Sequence, residues 1–368
     1  MKITAVKVAQ LNVEMHQAIK TPIGVISAAR NVVVKLETDN GLYGWGETSP
    51  MSAITGDTQQ SAYAMGLDLG RMLLGNDALA LEDNLHQLQR YCGPSTSIVT
   101  AFDMALYDLA AKQAGMPLYQ FLGGSNRPLE TDHTIGHQAT VEQSLTMARH
   151  MVNQCYSTIK LKTGRAGVED VAHVKAVREA VGEHIRLRID CNQGWDFPTA
   201  VENIRLLLPY NIEYVEQPLP AWDLAGFARL RKVSPLPICA DESVFDHHDA
   251  LKLVCAEAVD YLNIKLVKSG GIHTALKIND IAEAAGIRCM IGCFGESRLG
   301  LSASAHLAAA RRNIQFIDLD SALHFCVDPV IGGLHYVPGA AGMIELPSTP
   351  GHGAQLNEAD LDQLVLIQ

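Results

Sequence analysis

Ile185-Arg186-Leu187-Arg188-Ile189-Asp190-Cys191-Asn192-Gln193-Gly194 is the stretch on which the fold turns. Apolar and charged residues alternate along its first half, as on a β-strand. An acid closes the run, and a polar turn ending in glycine leads into a helical pattern. The same grammar recurs at 131–137, 157–164, 212–218, 237–243, 259–266, 287–293 and 314–320. Between these runs lie amphipathic helical stretches such as Val168–Val181 and Ala275–Gly286, the latter ending on a glycine suited to a helix C-terminus. The spacing, roughly 25 to 30 residues, is that of a βα unit.

Eight consecutive units predict a closed α/β barrel of the TIM type rather than an open sheet. The last unit lacks a long helix after Asp320 and runs into a Gly/Pro-rich tail, so the expected form is a modified (β/α)7β barrel. The barrel is assigned to residues 126–325. Residues 1–125 read as an α+β capping domain, with strands in Ile3–Val13, Asn31–Thr38 and Leu42–Thr48. There Asn40-Gly41 forms a hairpin turn and a helix covers Thr100–Gly115. Residues 326–368 carry strand-like pieces, Leu334–Val337 and Met343–Leu346, expected to return to that domain.

Strand parity then sorts the barrel side chains. Ile159 and Leu161 share one face and Lys160 and Lys162 the other; Leu187 and Ile189 oppose Arg186, Arg188 and Asp190. Leu262, Ile264 and Leu266 oppose Asn263 and Lys265, and Ile317 and Leu319 oppose Asp318 and Asp320. Apolar faces suit the helix-covered outside, so the charged faces point inward, where branched apolar residues are the rule. Buried ion pairs that merely fix the fold contribute little stability. Gathered at corresponding strand ends, these groups read instead as a functional cleft.

Lys162 ends the second barrel strand and Lys265 the sixth, on opposite sides of a ring of eight; Asp190, Glu216 and Asp241 form the arc between. Carboxylates converging without His or Cys suit a hard cation, Mg2+ first and Mn2+ second. Such a cation stabilises the enediolate formed when a carboxylate loses its α-proton. A lysine is a useful base only with a lowered pKa, and the cation and Lys160 both push Lys162 that way. Bases on opposite faces permit racemisation or epimerisation, and Asp318 and Asp320 across the barrel suit a cationic group on the substrate.

Composition narrows the classes further. A formal charge of -11 over 368 residues argues against a nucleic-acid surface. No apolar run has membrane-spanning length, and the strand-like start lacks the apolar core of a signal peptide, so a cytoplasmic protein is expected. Eight cysteines occur without a CxxC pair; Cys289 and Cys293 read as reduced thiols without partner ligands. His247-His248 read as surface residues pointing apart, Trp195 as packing, and Gly270-Gly271 as a tight turn rather than a phosphate cradle.

These residues resemble the enolase superfamily, whose metal-stabilised intermediate and Lys or His base are a known pattern. The Lys-x-Lys of Lys160 and Lys162 with the lone Lys265 resembles its muconate-lactonizing subgroup, over essentially the whole chain. Closer still is the likeness to dipeptide epimerases, carried by Ile54–Thr58, Thr131–Ile135, Asp190–Trp195, Val215–Pro218, Ala240–Ser243, Asn263–Leu266 and above all Asp318-Leu319-Asp320. The resemblance implies a homo-oligomer such as an octamer and a Mg-dependent epimerisation of a dipeptide at its C-terminal residue. By that likeness Asp190, Glu216 and Asp241 hold the metal, Lys162 and Lys265 transfer the proton with Lys160 assisting, and Asp318 and Asp320 bind the substrate ammonium.

The same likeness assigns substrate contacts to Lys160 and Thr134 and, within specificity loops at about 16–30 and 50–58, to Gly24, Ile54 and Thr55. It places Asn192 behind the ligands; Glu242 reads equally as a supporting group or a surface carboxylate. One departure stands out: Gly24 occupies the place of an arginine that Ala-Glu epimerases carry, so a small or apolar second residue is expected. Arg30 offers another cation, but its position suits the flank of a core. His324 reads as structure more readily than as pocket wall. Alternatives are an N-acylamino acid racemase, a cycloisomerase or dehydratase acting on another carboxylate, and a non-catalytic metal-binding barrel. The Asp pair discriminates, since an acylated substrate brings no ammonium to it.

Overall fold

Alternating β-branched residues begin the chain, and they build a sheet that serves as the wall of a second structure. The computed structural model describes residues 1–165 and 169–368, so a helix start at Val168 lies outside it. β1 (Ile3–Thr21), β2 (Gly24–Thr38) and β3 (Tyr43–Thr48) form an antiparallel sheet. The expected loop at 16–30 is the tip of this ribbon. Ile19 pairs with Ile26, Lys20 with Val25 and Thr21 with Gly24 across a two-residue turn at Pro22-Ile23. A turn that short lets the flanking backbone groups satisfy one another, so the strands continue to the tip. Asn40-Gly41 makes the second turn, with Gly41 at φ 84°.

The helix Val99–Gln113, buried on every face through Ala111, lies on this sheet. Its approach explains two glycines of β3. A Cβ on Gly44 or Gly46 would fall 2.1 Å from Ala105 O or 1.9 Å from Ala101 O.

After β4 (Leu129–Glu130) the barrel strands follow in order: β5 (His133–Ile135), β6 (Thr158–Lys162), β7 (Arg186–Asp190), β8 (Ile212–Glu216), β9 (Ile238–Ala240), β10 (Tyr261–Ile264), β11 (Arg288–Ile291) and β12 (Ile314–Ile317). They pair in parallel, each with its successor. The sheet curls until Asp132 N donates to Ile317 O at 3.2 Å and Leu319 N to Thr131 Oγ1 at 2.8 Å, joining first strand to last. Helices follow β5 to β11, whereas only the short turn Ser321–His324 follows β12. This is the (β/α)7β arrangement.

In the tail, β13 (Val330–Gly332) pairs with β16 (Ala354–Leu356), while β14 (His335–Tyr336) and β15 (Met343–Glu345) extend β4. The pieces Leu334–Val337 and Met343–Leu346 therefore settle beside the segment that leads into the first barrel strand, contrary to the expected return to the capping domain. Ile344 opposite Leu129 buries its side chain there. Only β17 (Asp362–Ile367) joins the first sheet, antiparallel to β1.

Two buried carboxylates bolt the capping domain to the barrel. Glu47 of β3 accepts from Ser297 N (3.0 Å), Ser297 Oγ (2.8 Å) and Gly300 N (2.8 Å) at the start of helix Arg298–Ala310. Asp103 accepts from Ile272 N (2.6 Å) and His273 N (3.1 Å) at the start of helix Ile272–Ala284. Each places an acceptor where a helix leaves N–H groups unsatisfied and carries positive charge. Gly271 is required for this approach, since a Cβ there would lie 2.1 Å from Asp103 Cγ. The seam consequently points the β1–β2 tip at the barrel mouth.

Candidate active site at the barrel mouth

Inward positions two residues apart stack in layers. The floor is Tyr214, Cys239, Met290 and Phe316, with Tyr261 packed against them. Arg188 crosses this layer, paired with Asp132 (2.8 Å) and Glu213 (2.7 Å) and lying over the rings of Tyr214 and Phe316. Arg186, on the same face, has left the barrel and pairs with Glu130 at its outer end.

One layer up, Lys160 is wholly buried, with Nζ 2.7 Å from Asp318 Oδ2, 2.8 Å from Glu216 Oε2 and 3.5 Å from Asp190 Oδ2. It joins the two sides of the barrel. At the mouth, Lys162 Nζ lies 2.5 Å from Asp190 Oδ2 and Lys265 Nζ 2.8 Å from Asp241 Oδ2. Oxygens of Asp190, Glu216 and Asp241 gather within 4.8 Å of one another. Room for Lys265 comes from Gly292 at the end of β11, where a Cβ would fall 3.0 Å from Lys265 Cε.

Burial and mutual repulsion dominate the charges. Burial and Asp190 push Glu216 up to about 7, and burial with Asp241 pushes Glu242 up to about 8. Burial also raises Asp190 and Asp241, but Lys162 and Lys160 outweigh it at the former, and Lys265 and Lys268 at the latter, leaving both below the usual carboxylate range. Burial lowers Lys265, yet Asp241 reverses the effect and holds it above the usual lysine range. That runs opposite to the lowering expected for a lysine base. A neighbouring cation would repel the ammonium, whereas carboxylates alone attract it.

The cavity is walled on the barrel side by Lys162, Lys265, Asn192, Thr134, Asp318 and Asp320, and on the capping side by Ile19, Ile26, Met51 and Ile54. Phe294 adds an apolar face, and its ring sits 4.5 Å from Lys265 Nζ. Thr134 contributes its N–H to Asp320 Oδ2 at 2.7 Å. Thr55 is turned away, its hydroxyl donating to Met51 O, because it closes the short helix Ser52–Thr55. Gly24 lies past the cavity in an adjoining cleft that Arg30 also lines, because the turn at Pro22-Ile23 carries it beyond the pocket. Its φ of 149° suits glycine, although a Cβ would meet nothing within 4 Å. Arg30 pairs with Glu14 at 2.6 Å on the ribbon's exposed flank.

Glu242 is buried behind the carboxylates, with Asn192 Nδ2 donating to it at 3.1 Å, and is no surface group. His324 stands outside the cavity wall, 3.4 Å from Asp320 Oδ2. Cys293 lines the cavity and clusters with Asp318 and Asp320, so the expectation that it lacks partner ligands fails. His247 and His248 do not point apart; their ring centroids are 4.2 Å from each other. Trp195 packs as expected, donating to Asp170 at 2.9 Å.

The contributions of Lys268 and Gln217 escaped the sequence, and Asn263 was read as inward without a role. Lys268 is buried with Nζ 2.5 Å from Asp241 Oδ1, yet it stands in the four-residue helix Leu266–Ser269, where strand parity says nothing. Its spacing of three from Lys265 was the available signal. Asn263 donates to Glu216 Oε1 at 2.7 Å, and parity had already turned it inward. Gln217 carries φ 37° and accepts from Asp241 N at 2.8 Å, fixing one ligand strand against the next.

The donor set fits a hard divalent cation. It consists of buried carboxylate oxygens, and Glu216 Oε2 and Asp241 Oδ2 lack a directed hydrogen bond. Each of those oxygens lies 2.8 Å from a lysine Nζ, so they are paired by charge but not by orientation. Such half-satisfied oxygens at full burial are costly unless a ligand completes them.

Comparison with known proteins agrees with this geometry. Residues 3–123 match the N-terminal domain of the mandelate racemase/muconate lactonizing enzyme family, and 143–360 match an enolase C-terminal domain-like family. A hydrophobic dipeptide epimerase of Enterococcus faecalis is 40% identical, covering 96% of this chain and 99% of its own. An L-Ala-D/L-Glu epimerase of Bacillus subtilis is 38% identical over 96% of each chain. The crystal structure of a dipeptide epimerase from Cytophaga hutchinsonii, complexed with Mg and D-Ala-L-Val, superposes over 100% of both chains with a TM-score of 0.97 at 37% identity.

Proposed function

The chain belongs to the mandelate racemase/muconate lactonizing enzyme family of the enolase superfamily, and from that premise we propose that it is a Mg-dependent dipeptide epimerase. It acts at the α-carbon of the C-terminal residue. The observation that carries this reading is that Lys162, Lys265, Asp318 and Asp320 line one cavity, above a cluster of three buried carboxylates.

Asp190, Glu216 and Asp241 hold the cation. When bound, Mg2+ supplies the positive charge that stabilises the enediolate form of the substrate carboxylate. Asp318 and Asp320 hold the ammonium, so the α-carbon of the second residue lies between the ends of the carboxylate arc. Lys162 and Lys265 reach it from those two ends; one takes the α-proton and the other returns a proton to the opposite face. Lys160 carries charge between the two anchors, close to Asp318 on one side and Glu216 on the other. Phe294 and the capping residues exclude water from the carbanion.

Ile19, Ile26, Met51, Ile54 and Phe294 favour a small or apolar side chain on the second residue. Gly24, where Ala-Glu epimerases carry an arginine, stands beyond the cavity, and the capping-side wall has no basic residue among those described, so an acidic side chain lacks a partner there and Ala-Glu is a poor substrate. The β1–β2 tip and segment 50–58 set this preference.

The test is α-deuterium incorporation from D2O across a dipeptide library, followed by NMR with Mg2+ present. Dipeptides with apolar second residues should exchange fastest. Exchange in N-acylated amino acids but in no free dipeptide would overturn the proposal.

A further inference from the structure

The two aspartates assigned to the ammonium are not equivalent. Asp318 Oδ2 is taken by Lys160 at 2.7 Å. Among the described residues Asp320 has no lysine partner. Its protein contacts both fall on Oδ2, from Thr134 N at 2.7 Å and from His324 Nε2 at 3.4 Å, which leaves Oδ1 for a ligand in the cavity that Asp320 lines. Thr134 N is fixed by β5, so the remaining freedom of the carboxylate is rotation about that hydrogen bond. His324, four residues on in the turn Ser321–His324, stands where it stops this rotation.

His324 is itself held. Its ring packs on His133 at 4.9 Å between centroids, and His133 packs on Tyr156 at 4.9 Å. His133 is buried and its Nδ1 has no hydrogen-bond partner among the described residues. Burial pushes His133 down to about 4, so it is a neutral prop rather than a competing cation. Burial lowers His324 too, but Asp320 outweighs it and the net shift is upward, consistent with a donor aimed at a carboxylate.

We propose that His324 is a positioning residue for the substrate's ammonium end: it donates from Nε2 to Asp320 Oδ2 and, with Thr134 N–H, turns Oδ1 into the pocket. It touches neither substrate nor metal ligand. The inference rests on the reading of Asp318 and Asp320 as the ammonium anchor.

The probe is an Ala-Aib dipeptide, which lacks an α-proton on its second residue and binds without turnover, titrated into the Mg2+-loaded enzyme near neutral pH, where its α-amino group is an ammonium. Removing one hydrogen bond to a charged group is worth about tenfold in affinity. His324→Ala should weaken Ala-Aib binding by about that factor and raise KM for a turned-over dipeptide, with kcat close to wild type. His324→Gln, whose amide replaces Nε2, should restore most of the loss, which a mere packing role would not. N-acetyl-Aib, without an ammonium, should bind all variants alike. Wild-type affinity in His324→Ala, with Asp320→Asn weakened, overturns the role of His324 alone. Unchanged affinity in Asp320→Asn overturns the ammonium anchor itself. If His324→Ala does not fold, His324→Gln decides in company with His324→Leu, whose matched bulk lacks the donor: equal affinity in the two sinks the proposal.

Discussion

The buried carboxylates of the domain seam and those of the barrel mouth meet different fates. At the domain seam, Glu47 and Asp103 accept from backbone N–H groups at helix starts. At the mouth, Asp190, Glu216 and Asp241 face lysines, and two of their oxygens lack a directed hydrogen bond. Burial costs both sets alike. The seam carboxylates are completed by the fold, so they lock it; those of the mouth keep oxygens without a directed hydrogen bond, which suits them to the cation proposed above. Completeness of partners, more than burial, separates Glu47 and Asp103 from the acids of the mouth.

The sharpest way to break this contrast is to remove the mouth's lysines. Lys162→Ala and Lys265→Ala, loaded with Mg2+, should each lose about 10²- to 10⁴-fold in α-deuterium exchange, one variant from each epimer. Exchange from both epimers in both variants would sink the two-base assignment. At the seam the pattern should invert. Glu47→Ala strands the N–H groups of Ser297 and Gly300 and should cost about 3 kcal/mol in urea unfolding, while kcat per folded molecule stays near wild type.

Ligand linkage gives a slightly smaller effect. At a Mg2+ concentration a hundred times its Kd, the wild type should gain about 2.7 kcal/mol of stability. Asp241→Asn should lose that gain and Glu47→Ala should keep it, with differential scanning fluorimetry as the readout. Stripping the metal with EDTA should abolish exchange, and adding Mg2+ should restore it.

The smallest effect is one of pH. Burial raises Asp103 to about 8, so the fold favours its protonated form more than the unfolded chain does. Stability from this group is therefore full in acid and is lost as pH rises through about 8. Asp103→Asn, which cannot ionise, should flatten that part of the stability profile. An unaltered slope would show that Asp103 is already ionised at neutral pH and that the seam is closer in kind to the mouth.

Much of this was legible in the chain. Period-two alternation ending in a polar turn, repeated through the barrel, located every barrel strand and turned Lys160, Asp190, Asn263, Lys265 and Asp318 inward. It failed where that periodicity stops. Lys268 sits on a helical turn, Gln217 acts through a left-handed backbone, and the seam acids Glu47 and Asp103 have partners some 170 to 250 residues away. The ribbon tip at 16–30 looked like a loop because its sequence is mixed, although a two-residue turn keeps it paired to the end.

The sequence by itself determined which face each strand residue occupies, because side-chain direction along a strand is a local property of the backbone. That was enough to bring lysines and acids into one interior. Only the tertiary structure decided which acid meets which base, that Lys160 spans the two anchors, that Glu242 is buried and that Gly24 stands outside the cavity. Those outcomes depend on how the barrel closes and how the capping ribbon docks. Distances of a few ångströms between distant segments, on which charge and hydrogen bonding both turn, follow from packing and are written in no single stretch of chain.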